Sequence, residues 1–335
     1  MGQYGYVREW RFGSSAESSG ALVARSGELR EVRVSRSALS VPASKERMVE
    51  KALSSGADLL FLDLEDAVAP NEKDAARENV VRSIKELDWQ GRPTFYRINA
   101  LDTPYFYRDV IEVVEEAGEG LDSILVPKAE RPEDLFALGT LLTSVELNAG
   151  LVPGKIRLEA QIETAGGLVN IDGIAQATPR LEALHFGPGD YAASVRMPQT
   201  SIGTMDEWDE VYPGHRFHYA MHRIVVAARA ADLRVIDGPV ADYGDEEGLR
   251  ESCLIARSLG FDGKWCIHPS QIETVNEVFS PTQKEIEWAK KLVDAYEEAN
   301  AAGSGSISVD GNMIDAASIK MAQNTLDLAR GAGMV

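Results

Sequence analysis

Ile156-Arg-Leu-Glu-Ala-Gln-Ile-Glu163-Thr-Ala-Gly-Gly-Leu-Val169 is an apolar-rich run that ends on an acid, passes through Thr-Ala-Gly-Gly and opens into an amphipathic segment. The pattern returns 27 residues later, from 163 to 190, where Leu184-His-Phe-Gly-Pro-Gly-Asp190 again puts a carboxylate just past a short apolar run. One strand, one helix and one loop fit that interval, so the stretch reads as a parallel βαβ unit. Neighbouring parallel strands bring both carboxylates to the same, C-terminal edge of the sheet. Two anionic oxygen donors at one edge suit a hard divalent cation, with remaining positions left to water and substrate oxygens. Glu163 and Asp190 are therefore the metal candidates. No His/Cys cluster accompanies them, which argues against zinc.

The same rhythm runs in both directions from this unit. Upstream, strands fit Ser37-Ala-Leu-Ser-Val41, Asp58-Leu-Leu-Phe-Leu-Asp-Leu64, Thr94-Phe-Tyr-Arg97-Ile-Asn99 and Ser123-Ile-Leu-Val-Pro-Lys128. The second of these is almost wholly apolar, as expected of a strand covered on both faces. Helices fit between them over 45–55, with Ser44 as its N-cap, and over 73–87, 105–117 and 132–148. Downstream, helices over 218–231 and 246–259 feed strands at Arg234-Val-Ile-Asp-Gly238 and Gly263-Lys-Trp-Cys-Ile-His268. The irregular stretch 194–212 is long for a βα loop and reads as a possible lid.

Eight strands alternating with helices predict an α/β fold, a (β/α)₈ TIM barrel, with an open doubly wound sheet as the alternative. A helix over 281–300, a Gly-Ser linker at 303–306 and a last helix over 317–330 add a C-terminal helical lid extension. The expected division is an N-terminal extension at 1–34, a catalytic barrel at 35–302 and a linker with lid segment at 303–335.

Composition narrows the function classes. With 335 residues and 44% hydrophobic content the chain can bury a large core. A formal charge of −19 argues against nucleic-acid binding, because a phosphate backbone needs a basic face. No apolar run reaches bilayer length and no charged-then-apolar leader opens the chain, so no membrane partner and a cytoplasmic location are expected. Cys253 and Cys266 lack metal-ligand spacing and are read as reduced.

In a barrel, charged residues at C-terminal strand ends converge on one mouth. Here they are Asp63, Glu65, Asp66, Arg97, Lys128, Glu163, Asp190, Asp237 and His268. A strand arginine is costly to bury without a carboxylate. Arg97 is expected to pair with Asp63 or Glu65 and to aim its fork at a substrate carboxylate or thioester oxygen. Lys45 and Lys51, with the helix N-terminus after Ser44, are the one suggestion of phosphate binding.

As a set, several motifs carry a resemblance. They are Leu62-Asp-Leu-Glu-Asp-Ala-Val-Ala-Pro-Asn-Glu-Lys73, Tyr96-Arg97-Ile-Asn99, Val126-Pro-Lys128, Ile162-Glu163-Thr-Ala-Gly-Gly, Phe186-Gly-Pro-Gly-Asp190-Tyr-Ala-Ala-Ser, Gly263-Lys-Trp-Cys-Ile-His-Pro-Ser-Gln271 and Gly311-Asn-Met-Ile-Asp315. The chain resembles the citrate-lyase-β-like branch of the aldolase superfamily, and within it the L-malyl-CoA/β-methylmalyl-CoA lyases. The resemblance implies a Mg²⁺-dependent retro-Claisen lyase, with Mn²⁺ able to substitute. Malyl-CoA would give acetyl-CoA and glyoxylate; β-methylmalyl-CoA would give propionyl-CoA and glyoxylate. Citramalyl-CoA or citryl-CoA cleavage and malyl-CoA hydrolysis are the alternatives.

The resemblance also implies roles by position. Glu163 and Asp190 hold the metal. Ser40, Val41, Lys45 and Lys51 fall where acyl-CoA binds, and Arg97, Gly189 with Asp190, and Ile267 with His268 match substrate contacts. Asp315 is the implied catalytic acid, brought by the tail from a neighbouring subunit of a homotrimer or homohexamer. Arg97 and its acidic partner Asp63 complete the expected catalytic set.

Overall fold

Nearly continuous apolar strands demand cover on both faces, and the chain supplies it by closing on itself. The computed structural model describes residues 21–23, 29–31, 34–212, 215–301 and 307–335. Most of the expected N-terminal extension and the 303–306 linker lie outside the described residues. A short antiparallel pair, β1 (Ala21–Val23) with β2 (Leu29–Glu31), precedes the main body.

The main body is a closed, all-parallel barrel. Its first half is β3 (Ser37–Pro42), α1 (Glu46–Ala52), β4 (Leu59–Asp63), α2 (Lys73–Glu86), β5 (Thr94–Arg97), α3 (Phe106–Ala117), β6 (Ser123–Val126) and α4 (Pro132–Asn148). The second half begins with β7 (Arg157–Ile162), the short α5 (Ala165–Val169) and α6 (Ile171–Ile174), β8 (Leu181–Phe186), α7 (Pro188–Ser194) and α8 (Glu207–Val211). It ends with α9 (His218–Ala230), β9 (Arg234–Asp237), α10 (Glu246–Leu259), β10 (Gly263–Cys266) and α11 (Ile272–Phe279). β10 pairs with both β9 and β3, which closes the ring and excludes the open sheet.

Alternation along each strand sorts side chains into two layers. Ala38, Leu59, Phe61, Phe95, Leu125, Ile236 and Trp265 fill the interior. Their neighbours, such as Leu60, Leu62, Tyr96, Ile124, Leu184 and Val235, join the larger core between barrel and helices. Local signals match the helix ends: α4 begins on Pro132, and α10 is capped by Asp245 and stops at Gly260 in the left-handed region, φ 101°. Ser44 does not cap α1. Lys45 occupies the N-cap, and the Ser44 hydroxyl is buried without a partner.

The 194–212 stretch is anchored rather than loose. Arg216 pairs with Asp206 and Asp209, Asp206 caps α8, and the Ala241 amide donates to the Ile202 carbonyl at 3.0 Å. After the barrel, α12 (Gln283–Ala301), the hairpin β11 (Ile307–Val309) with β12 (Asn312–Ile314), and α13 (Ala316–Gly331) build a second, smaller core. It contains Ile286, Leu292, Val309, Ile314, Ile319 and Leu326. No helix among the described residues is long and apolar enough to cross a membrane. Both cysteines are free and buried, and burial pushes the Cys253 thiol up to about 11.

Barrel closure rests on a close backbone approach at Gly263, where a Cβ would run into the Ser35 and Arg36 carbonyl oxygens. Gly263→Ala is expected to lower unfolding free energy by on the order of 3 kcal/mol, as overpacking against backbone does. Denaturant melts check it, and an unchanged midpoint would contradict the close approach.

Candidate active site at the C-terminal mouth of the barrel

The register places Asp63 beside Arg97 on adjacent strands, with both side chains facing inward. The Arg97 guanidinium donates to Asp63 through Nε and Nη2, each at 2.7 Å. Nη1 donates to Gln161 Oε1 at 3.3 Å and lies 2.9 Å from Glu65 Oε2. Arg97 therefore takes both acidic partners that the sequence left open. Burial alone would raise the Asp63 pKa, but the charge and hydrogen bonds of Arg97 and the Glu65 and Ala67 amides hold it below the usual range. Asp63 thus stays ionised and keeps the fork rigid.

Glu163 directly follows β7 and is buried, 1% exposed. Its Oε1 accepts the Lys128 amide at 2.8 Å and its Oε2 accepts from Gln161 Nε2 at 2.6 Å. Gly187 makes room for this: a Cβ there would collide with the Glu163 carboxylate. Lys128 sits at φ 48°, a strained conformation for a non-glycine residue, and that turn aims its amide at Glu163. Its ammonium reaches Glu65 Oε1 at 2.5 Å, Asp66 at 3.8 Å and Asp190 at 4.0 Å.

Negative charge remains in excess. Burial, then repulsion from Glu65 and Asp190, outweighs Arg97 and Lys128 and pushes the Glu163 pKa up to about 8. Burial likewise raises Glu65, although Arg97 Nη1 lies 2.9 Å from its Oε2 and Lys128 Nζ 2.5 Å from its Oε1. Those two facts fit a cation beside Glu163 and Asp190. Among the described residues, no three His, Cys, Asp or Glu side chains converge as a complete metal cage. Two carboxylates with open positions match Mg²⁺ better than a closed structural site.

The other expected residues lie at varied depth. Ser40 is half-buried, whereas the Val41 side chain is buried in the barrel–helix core and has only its backbone to offer a ligand. Lys45, at the N-cap of α1, and Lys51, in its last turn, are both exposed, and Lys45 lies 3.4 Å from Glu72. Gly189 is half-buried, and Ile267 and His268 are exposed, with His268 stacked on Tyr243 at 4.6 Å.

One expectation needs correction. Asp237 does not face the mouth; it lies in the barrel–helix layer, where Lys264 Nζ donates to it at 2.5 Å. Alternation explains this, since its neighbour Ile236 points inward. Asp315 is not joined to the mouth of its own barrel by any hydrogen bond or ion pair among the described residues. It caps α13, accepting from the Ser318 amide and hydroxyl at 3.0 Å each. Sequence reading undervalued Gln161, which bridges Arg97 and Glu163; its place two residues before Glu163 on an inward-facing strand was the available signal.

Parallel closure places an acid-rich mouth and a locked arginine at the C-terminal end of a (β/α)₈ barrel. A family model described as HpcH/HpaI aldolase/citrate lyase matches residues 36–269, and one for C–C bond lyases of the TIM-barrel fold matches 206–334. The chain belongs to the HpcH/HpaI aldolase/citrate lyase family. It is 39% identical over 297 residues to an L-malyl-CoA/beta-methylmalyl-CoA lyase of Cereibacter sphaeroides, covering 87% of this chain and 93% of that protein. It is 36% identical to the citrate lyase subunit beta of Leuconostoc mesenteroides subsp. cremoris, covering 90% and 96%. Among solved structures, CitE of Mycobacterium tuberculosis with magnesium, acetoacetate and coenzyme A matches with TM-score 0.68 and 28% identity, covering 89% of this chain and 97% of that one.

The Glu163 shift gives a pH test. Its native pKa lies above the ordinary carboxyl value of 4.5, so the metal-free native state holds an extra proton between 4.5 and about 8. Stability should therefore fall as pH rises through that window. Melts in EDTA at about pH 6 and about pH 8 check it; adding Mg²⁺ at the higher pH should restore the melting temperature, and Glu163→Gln should remove the slope. A slope unchanged in the variant would count against the assignment.

Proposed function

We propose that this protein is a Mg²⁺-dependent lyase that cleaves L-malyl-CoA to acetyl-CoA and glyoxylate, and β-methylmalyl-CoA to propionyl-CoA and glyoxylate, reversibly. One observation carries the reading: buried Glu163, under-compensated beside Asp190, shares a mouth with an arginine locked by Asp63. The name of the Cereibacter relative supports the substrate class, and the CitE complex supports magnesium and coenzyme A in such a mouth.

Glu163 and Asp190 would hold the ion, and Mg²⁺ there supplies a Lewis acid for the substrate carboxylate and hydroxyl oxygens. The chain's own residues do the rest. The substrate hydroxyl gives up its proton to solvent and forms the glyoxylate C=O as the carbon–carbon bond breaks, and that bond's electron pair passes to the thioester as an enolate. Arg97 stabilises the enolate charge, and because Asp63 and Glu65 fix its plane, no reorganisation is required when that charge develops. Asp315, delivered by the tail of another subunit, then donates a proton to the enolate carbon. In condensation it removes that proton. Ser40, the Val41 backbone, Lys45 and Lys51 are the coenzyme A contact, with Ile267 and His268 on the loop after the adjacent strand β10 and Gly189 at the start of α7.

A coupled assay with acetyl-CoA or propionyl-CoA and a panel of glyoxylate, pyruvate and oxaloacetate tests the function, with and without EDTA. Glyoxylate should be preferred and EDTA should abolish turnover; preference for pyruvate or oxaloacetate would reassign the substrate. Glu163→Gln, Asp190→Asn and Arg97→Gln should each lower kcat on the order of 10²–10³-fold. Near-normal rates in the first two would end the metal assignment.

The tail's role has its own test. Arg97→Gln and Asp315→Asn chains, each poorly active alone, are unfolded together and co-refolded. Mixed oligomers should recover part of the wild-type rate if Asp315 serves a neighbour. No recovery, with mixed oligomers demonstrated by mass, would assign Asp315 to its own barrel or to no catalytic role.

A further inference from the structure

The barrel interior beneath Arg97 is not uniformly apolar. The Trp265 ring lies under the guanidinium, with its centroid 5.4 Å from Arg97 Cζ. Its indole Nε1–H donates to His185 Nδ1 at 2.7 Å. An indole N–H only donates, so Nδ1 accepts and the His185 proton sits on Nε2. That Nε2–H donates to Glu159 Oε2 at 2.6 Å. The other Glu159 oxygen accepts from Arg234 at 2.9 Å and Ser123 at 3.3 Å. Burial would raise Glu159, but Arg234 and the His185 hydrogen bond outweigh it and hold the carboxyl well below its usual range.

His185 is fully buried, Glu159 is 1% exposed and Trp265 4%. Packing alone does not require this chain. The surrounding Ala38, Leu59, Phe61, Phe95, Leu125 and Ile236 fill space without polar atoms. A charged group and an imidazole in that setting cost more than a leucine and a phenylalanine of similar volume. What the polar atoms add is direction. The indole can satisfy His185 in one ring orientation, and Phe61 braces it at 4.7 Å with a 57° tilt. In that orientation the π face meets the Arg97 guanidinium, an electrostatic attraction that strengthens where water is excluded.

We propose that Trp265 is a positioning residue for Arg97. It forms the floor that sets the height and tilt of the guanidinium, and the buried His185–Glu159–Arg234 chain fixes the floor. This rests on the lyase reading for what Arg97 does, but not for how Arg97 is held. Asp63 and Glu65 constrain the guanidinium from its edge. Trp265 constrains the direction they leave free, perpendicular to that plane. The Gly263-Lys-Trp-Cys-Ile-His segment then contributes to the site from below through Trp265 as well as from the rim through His268.

The test is a double-mutant cycle on the full-length protein. Trp265→Leu should lower kcat for malyl-CoA cleavage on the order of 10²-fold, as expected for a misplaced reacting group, with KM for the acyl-CoA unchanged. Trp265→Phe, which keeps a π face but lacks the N–H that bonds His185, should recover only part of that loss. In the Arg97→Gln background, Trp265→Leu should cost almost nothing further, because both changes remove one unit. Full additivity in the double variant would overturn the proposal. A second readout needs no turnover and survives poor folding of the leucine variant. The Trp265 indole N–H resonance should exchange slowly in the wild-type protein and shift on Arg97→Gln, while the other four of the 5 tryptophans hold still. Absence of that shift would also overturn the proposal. A wild-type protein with the shift but no lyase turnover would sink the functional reading and leave the positioning role standing.

Discussion

Glu163 is buried beside two other acids, with a guanidinium and an ammonium that only partly offset them. A carboxylate in that position either takes up a proton or shares a cation, because a bare charge in a low-dielectric mouth is too costly to persist. Its neighbours hold the carboxylate in place. Gly187 gives up its side chain so that the carboxylate fits, and the Lys128 backbone adopts φ 48° to supply an amide. Gln161 ties the same carboxylate to Arg97, so one side chain bridges the anion and the cation of the mouth.

The barrel makes this possible through two properties of parallel strands. All strands point the same way, so residues far apart in sequence arrive at one rim. Strand alternation then decides which of them face one another. Arg97 and Asp63 are paired in register and both face inward. Asp237, also at a strand end, faces outward and spends its charge on Lys264 in the helix layer. A position at the rim is therefore not sufficient for a place in the site; parity along the strand matters equally.

Acidic and basic groups divide the work at the mouth. Asp63 remains ionised because Arg97 outweighs burial, whereas burial, joined by repulsion from Glu65 and Asp190, pushes Glu163 the other way. Two carboxyls on neighbouring parts of one rim thus acquire different behaviour from environment alone. The loop over 194–212, long enough to suggest a lid, is held by Arg216 and by backbone contact with the β9–α10 connection. That arrangement gives the rim a fixed wall on the Asp190 side.

Much of this was legible in the chain. Apolar runs of strand length, each ending on a charge and each followed by a helical period, determined eight βα units and hence the barrel, since few other folds bury such strands on both faces. The same punctuation singled out Glu163, Asp190, Arg97 and Asp63, because a charge at the end of a buried run is costly without a purpose. Sequence spacing carries no information about which charges meet across the barrel. The sharing of Arg97 between Asp63 and Glu65, the bridging role of Gln161 and the polar chain from Trp265 to Glu159 join residues tens of positions apart. Only closure of the ring, with its fixed register and inward–outward alternation, brings those atoms within hydrogen-bonding distance, and that is what the tertiary structure decided.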